Sequence, residues 1–337
     1  MQHIELRSDT FTKPTKEMLE RMFSAKVGDD VWDEDETVKA LEARIADMFG
    51  METALFCPSG TMANQIAIKV HTQAGDEVVC DYSSHIYQYE GGGIAFNSSA
   101  SVNLLKGVNG KITVALVKDS LKEENVHFPR TSLVSVENTT NKGGGACYQL
   151  SDLQDLSVFC KSNKLAFHMD GARLFNAMVK TNTKPNEYGS IFDSISVCMS
   201  KGLGAPIGSL LLGTHTFIAQ AKRIRKVLGG GMRQAGYLAA ACDFALDHHV
   251  DLLKEDHRRA KEIETVLAQV AFVGEVLPVE TNIIIFSTDK PAGLVAYLKD
   301  KNILCSAISA TQIRFVTHFQ FNDSMLEKLK QALLSYS

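Results

Sequence analysis

Apolar positions along this chain recur with two alternating periods. Behind the acidic stretch 29–36, Val38, Leu41, Ile45 and Met48 fall three or four apart, and Gly50 follows them. That spacing predicts an amphipathic helix closed by a glycine, the residue that takes a left-handed C-cap most readily. A short strand at Ala54-Leu55-Phe56 comes next, then a turn at Pro58-Ser59-Gly60, then a helix with the stripe Ala63, Ile66, Ala67 and Val70. Apolar, β-branched runs at 77–80, 132–136, 165–169 and 195–199 read as buried strands. Between two of them, Ser151 is expected to cap a helix through Leu153, Leu156 and Phe159. Strands apolar on both faces and separated by helices are the pattern of a mostly parallel sheet covered on both sides. Residues 209–212 follow Lys201 too closely for a helical crossover and are expected to form an antiparallel neighbour.

Beyond about residue 215 the pattern shifts to long helices, including 234–250 and 257–270. Strands at 283–286 and 313–316 and a closing helix from Asp323 then predict a smaller α+β unit. The 337 residues fit two domains at roughly 150 residues each. The expected division is a large α/β domain at 1–248 and a small C-terminal α+β domain at 249–337. The polar arm 1–35 is too short to fold alone and is expected to lie across the small domain or a neighbouring subunit.

Hydrophobic residues make up 45% of the chain, charged residues 22%, and the net charge is −4. Those figures exclude a disordered chain and argue against a dedicated nucleic-acid binder, which carries a basic surplus. The expected partner is a small molecule. No apolar run reaches the roughly 18 residues of a membrane span, and MQHIELRSDTFTKPT lacks the basic start and apolar middle of a secretory signal. Seven scattered cysteines without a CxxC pair point to reduced, mostly buried thiols and a cytoplasmic location.

Three motifs sit where open α/β sheets bind ligands, at strand ends and the helix starts that follow. Ser59-Gly60-Thr61 opens a helix with free N–H groups, a hydroxyl and the positive end of the dipole, suited either to a phosphate or to an ordinary cap. Asp170, with Arg173 three residues later, suits either a polar ring or a structural ion pair. Lys201 follows a buried strand and precedes flexible glycines; it is either a partly desolvated amine able to form an imine or a solvated loop lysine. Together the three fit one ligand, pyridoxal 5'-phosphate. That cofactor needs a lysine for its Schiff base, an acid at its pyridine nitrogen and a phosphate cup. The 31 residues from Asp170 to Lys201 allow one crossover between adjacent strand ends.

The stretches LRSDTFTKPT, VGDDVWDEDETV, PSGTMANQIA, HIYQYE, VHFPRTSLVSVENT, HMDGARLFNA, SKGLGAPIGSLLLG, GGGMRQAG and IRFVTH occur in this order. In them the chain resembles the low-specificity L-threonine aldolases, a branch of the fold-type I pyridoxal phosphate enzymes, over nearly its whole length. The resemblance implies a mostly parallel seven-stranded sheet in the large domain and cleavage of L-threonine and L-allo-threonine to glycine and acetaldehyde. It implies Lys201 as the Schiff-base lysine, Asp170 at the pyridine nitrogen and His85 stacked on the ring. Ser59, Gly60 and Thr61 would hold the phosphate, with Arg233, and with it Lys226, reaching the phosphate region across a subunit interface. Ser8, Arg173 and Arg314 would gather the substrate carboxylate, while His85 and His127 would reach its β-hydroxyl. The resemblance also implies a homo-oligomer, a dimer or a tetramer. Trp32 stands where a tyrosine is common in the family and Thr140 where a histidine is; both bear on substrate preference.

A β-eliminating lyase on the same cofactor and a regulatory protein that retains the fold are the competing readings. No metal is expected: His248, His249 and His257 read as an exposed helix end rather than a zinc set. The glycine runs at 91–93, 143–145 and 229–231 are not dinucleotide fingerprints. The basic run 222–226 reads as a solvated face or as an anion contact.

Overall fold

A computed structural model describes residues 3–336 of the chain. The arm begins with a short strand, β1 (Ile4–Glu5), whose residues pair in parallel with Ile303 and Leu304. Its helix Lys16–Phe23, capped by the Thr15 hydroxyl, packs against helix Gly236–His248. The expected course across the C-terminal unit is therefore found, with a second contact on a helix of the main body.

The central sheet has seven strands: β2 (Thr53–Cys57), β3 (Glu77–Asp81), β4 (Ser101–Leu105), β5 (Thr131–Glu137), β6 (Ala166–Gly171), β7 (Ser194–Cys198) and β8 (Ser209–Gly213). Their order is β2-β8-β7-β6-β5-β3-β4. All run parallel except β8, which is antiparallel to both of its neighbours, as the short connection after Lys201 required. The inner strands are buried on both faces, which is why they read as unbroken apolar runs. The sequence reading missed β4 because it lies on the sheet's edge, where only Leu105 is buried and no apolar run marks it.

Helix boundaries move by a few residues. Helix Leu150–Ser162 starts after Gln149, so Ser151 is an exposed first-turn residue and not the cap. A turn after His249 separates helices Gly236–His248 and Leu253–Leu267, so the second begins and ends earlier than its apolar period suggested. Gly50 closes helix Glu36–Phe49 at φ 62°, the left-handed cap expected of it. All seven cysteines are free and buried. Among the described residues no helix is long and apolar enough to cross a membrane.

The C-terminal unit holds β9 (Ile283–Ser287), β10 (Ile303–Leu304), β11 (Ser306–Ala307) and β12 (Gln312–Val316), with β11-β12-β9 forming a small antiparallel sheet. Strand alternation divides its faces. Ile313, Phe315, Ile284 and Phe286 pack with helices Leu253–Leu267 and Asp323–Leu334. Val316, Ile283 and Ile285 form the opposite cluster, and Arg314, paired across from Ile285, shares that second face.

Asp256 is fully buried where the arm, helix Leu253–Leu267 and the small sheet meet. Its backbone carbonyl accepts the Thr317 hydroxyl at 2.7 Å, but neither carboxylate oxygen meets a donor among the described residues. Burial pushes this carboxyl up to about 8, with Arg259 opposing the shift and Asp9 adding to it. A pKa raised on folding gives stability that is complete at low pH and drains away as pH climbs from about 4, the unfolded value, to about 8. Asp256→Asn removes that titration. Relative to the variant, the parent should lose on the order of a few kcal/mol of stability over this window. Urea midpoints of both proteins at about pH 5 and about pH 8 check this, and a parent–variant difference independent of pH would contradict it.

Candidate active site

The parallel strands deliver their C-terminal ends to one edge of the sheet, and the chemistry-bearing side chains gather there. Asp170 closes β6 in a buried position. Its Oδ1 accepts the Ala172 N–H at 3.1 Å and its Oδ2 accepts Asn64 Nδ2 at 2.9 Å. Lys201 lies just past β7. Its carbonyl accepts the Thr12 hydroxyl at 2.9 Å, so the arm pins the loop, and its Nζ is 3.5 Å from Cys198 Sγ. Gly60 opens helix Gly60–His71 after β2, and the Ser59 hydroxyl caps that helix by accepting the Met62 N–H at 3.2 Å. A Cβ at position 60 would stand 2.5 Å from Cys198 Sγ, so only glycine lets the helix start lie this close to the strand that carries Lys201. Ser59 and Thr61 are exposed beside it.

His85 follows β3. Its backbone N–H donates to Glu137 Oε2 at 2.8 Å, and its Nδ1 lies 3.0 Å from Glu90 Oε1. Burial alone would lower this imidazole's pKa, but the Glu90 hydrogen bond and the charges of Asp170, Glu90 and Glu137 outweigh burial and raise it. Burial pushes Glu137 up to about 7, aided by the Asp170 charge and opposed by the N–H groups of His85 and Asn141.

The third group is a pair of arginines. Arg173 is gripped through Nε and Nη2 by the two oxygens of Asp9, at 2.8 and 2.7 Å. Burial works against ionisation of Asp9, yet Arg173 overrides it and holds the carboxyl at about 2. Arg314 donates to Asn141 Oδ1 at 2.9 Å and to the Arg7 carbonyl at 3.1 Å, and Arg173 Nη1 reaches the same Asn141 oxygen at 3.5 Å. Ser8, His85, Glu137, Arg173, Lys201 and Arg314 line one cavity of about 410 Å³. A larger hollow of about 820 Å³ is lined by Thr131, Ser132 and Leu165, so it lies at the other edge of the sheet, where β5 and β6 begin.

His127 is not in the cavity. It is exposed on the loop that feeds β5 from that other edge, and its N–H donates to Asn125 Oδ1 at 3.1 Å. Arg233 is also outside, paired with Asp29 at 2.8 Å on the surface. Lys226 lines a separate hollow of about 370 Å³ with Asp30 and Asp33. Trp32 is 73% exposed, and the Thr140 hydroxyl is taken up by the Asn109 carbonyl at 2.9 Å. Two surface expectations are corrected. His249 is buried, with Nδ1 2.7 Å from the Leu203 carbonyl, because it braces the glycine loop after Lys201. Arg225, within the basic run, is buried too; it pairs with Asp30 at 2.8 Å and donates to the Phe56 carbonyl at 2.7 Å.

Sequence reasoning missed Asp9, Asn64, Glu90, Glu137 and Asn141. Asn64 and Gln65 left one signal, two amides between the apolar stripe residues Ala63 and Ile66, both buried. Ligand-capable atoms of His85, Glu90 and Asp170 lie within 4.8 Å of one another. The Asn64 amide nitrogen donates to both carboxylates, a donor set that suits hydrogen bonding and would face a cation with N–H groups.

The beta-eliminating lyase family model matches residues 5–291. A low specificity L-threonine aldolase of Escherichia coli O157:H7 is 39% identical over 329 residues, covering 97% of each chain. A low-specificity L-threonine aldolase of Arabidopsis thaliana is 37% identical over 99% of this chain and 98% of its own. The solved threonine aldolase of Leishmania major superposes with a TM-score of 0.87 over 98% of both chains at 19% identity, which shows a shared fold. With these matches over nearly its full length, the chain belongs to the beta-eliminating lyase family, within the group of low-specificity L-threonine aldolases.

Proposed function

We propose that this chain is a cytoplasmic, pyridoxal 5'-phosphate-dependent aldolase that cleaves L-threonine and L-allo-threonine to glycine and acetaldehyde. The reaction would be reversible and tolerant of other β-hydroxy-α-amino acids. The observation that carries this reading is the convergence of Lys201, His85, Arg173 and Arg314 on one cavity of about 410 Å³. The residues fit the cofactor. The close seat of Gly60 against Cys198 brings a helix N-terminus beside the lysine strand, and Ser59, Gly60 and Thr61 would hold the phosphate there. Asp170 would hold the ring nitrogen, His85 would lie against the ring, and Lys201 would form the imine. When bound, pyridoxal phosphate supplies an electron sink for the bond broken at the substrate's α-carbon.

The chain's own groups do the rest. Arg173 and Arg314, with Ser8, bind the carboxylate and set the orientation of the bond to be cleaved. Asp9 engages two nitrogens of Arg173, so its remaining nitrogen is aimed before substrate arrives. With its Nδ1 turned to Glu90, His85 keeps Nε2 free to take the β-hydroxyl proton.

His127, Arg233 and Trp32 would join the site from a second copy in a dimer or tetramer. Their exposure supports this. The family name also covers β-elimination, which from L-threonine would release 2-oxobutanoate and ammonia in place of acetaldehyde and glycine.

Incubation with L-threonine should yield acetaldehyde and glycine. Lys201→Ala should still bind cofactor through its phosphate while turnover drops about a thousandfold or more. 2-Oxobutanoate and ammonia as the products, or full activity in the variant, would overturn the reading. Asp9→Asn removes the charge that fixes Arg173 and should raise KM about tenfold with kcat little changed, as expected when one partner of a buried pair is neutralised; an unchanged KM would refute the clamp. Sedimentation should give a dimer or larger. His127→Asn should lose most of its activity, and mixing it with inactive Lys201→Ala should restore up to about a quarter of the parent's, because hybrid assemblies regain one intact site. No recovery after subunit exchange would remove His127 from the partner's site.

A further inference from the structure

Between Asp170 and His85 lies a run of buried polar groups that neither the cofactor residues nor the arginine clamp uses. Asn64 is 2% exposed, and with Gln65 it is one of two amides among the buried apolar residues of its helix. Its Nδ2 donates to Asp170 Oδ2 at 2.9 Å and to Glu90 Oε1 at 3.0 Å. Its Oδ1 accepts the Ser196 hydroxyl at 2.6 Å, with His168 Nε2 at 3.4 Å. Every hydrogen-bonding position of the amide is thus in use, which fixes which end is nitrogen. Glu90, whose side chain is fully buried, also accepts Gln65 Nε2 at 2.6 Å and faces His85 Nδ1.

We propose that Asn64 and Glu90 form a positioning pair: Asn64 joins two buried carboxylates through one amide, and Glu90 holds His85 with Nδ1 as the donor and Nε2 toward the cavity. The proposal rests on the site reading given above and deepens it. Two carboxylates this close repel each other unless each meets a donor. One NH2 group is the smallest that can serve both; an acid at position 64 would add a third anion, and an apolar side chain would take the amide donor from Asp170 Oδ2 and from Glu90 Oε1. Behind Asn64, His168 Nδ1 and His71 Nε2 each stand 2.8 Å from Ser194 Oγ. Burial pushes these imidazoles down, His168 to about 3 and His71 to about 4, so no positive charge there competes for Asp170.

The groups around His85 are Glu90, Asp170 and Glu137, with Lys201 and Arg173 across the cavity and the Tyr89 ring at 5.7 Å, over which Lys142 sits. The three carboxylates favour the protonated imidazole. Neutralising Glu90 must therefore lower the His85 pKa and move the low-pH limb of kcat/KM downward.

The test uses Glu90→Gln and Asn64→Asp. The readouts are the imidazole titration of His85 by NMR in holoenzyme and cofactor-free protein, the pH profile of threonine cleavage, and the Kd for pyridoxal phosphate. In Glu90→Gln the His85 titration and the acid limb should both fall by about one pH unit, kcat should drop about tenfold, and cofactor Kd should stay within about threefold. In Asn64→Asp cofactor Kd should weaken about tenfold or more, since Asp170 loses its donor and gains a like charge. A His85 titration within about 0.3 unit of the parent in Glu90→Gln, or a parental Kd in a folded Asn64→Asp, would overturn the proposal. If Asn64→Asp does not fold, Asn64→Ser is read in its place by the same criteria. Should threonine prove not to be a substrate, the titration and cofactor measurements still decide, so the two readings fail separately.

Discussion

The buried pair of Asp9 and Arg173 is the interaction on which the site's assembly depends. Both side chains are almost out of solvent, at 0% and 5% exposed, and they meet through two parallel hydrogen bonds. Asn282, immediately before β9, donates to the same carboxylate at 3.1 Å. One ion pair thus ties the N-terminal arm, the loop after β6 and the start of the small sheet. Breaking such a pair by removing one partner costs about 3–5 kcal/mol, because the other charge stays buried. The Thr12 bond to the Lys201 carbonyl extends the same anchoring to the lysine loop. A short polar arm therefore has a fixed course although it has no core of its own.

Charge in the cavity is arranged around that anchor. Carboxylates lie toward the strand ends, at Asp170, Glu90 and Glu137, and guanidiniums lie on the arm and small-sheet side, at Arg173 and Arg314. Separation of this kind suits a zwitterionic amino acid, whose carboxylate would meet the arginines and whose amine would face Lys201. Asn141 links the two sides, since its oxygen serves both arginines while its N–H donates to Glu137 at 2.6 Å. The face of β12 that carries Arg314 is set by strand alternation, so a one-residue slip would exchange it for Phe315.

The sequence by itself determined the sheet, because strands buried on both faces leave continuous apolar runs and the helices between them leave their own period. It also determined which motifs stand at strand ends, since Gly60, Asp170 and Lys201 each follow such a run directly. The edge strand β4 left no such mark, and Asp9, Glu90 and Asn141 looked like ordinary polar residues. Only the tertiary structure decided their parts, because a carboxylate's role depends on which donors chain topology brings to it from far along the sequence. Topology likewise decided His127: it precedes β5, and the segment before a parallel strand lies at the edge opposite the site, so only a neighbouring copy could bring it there.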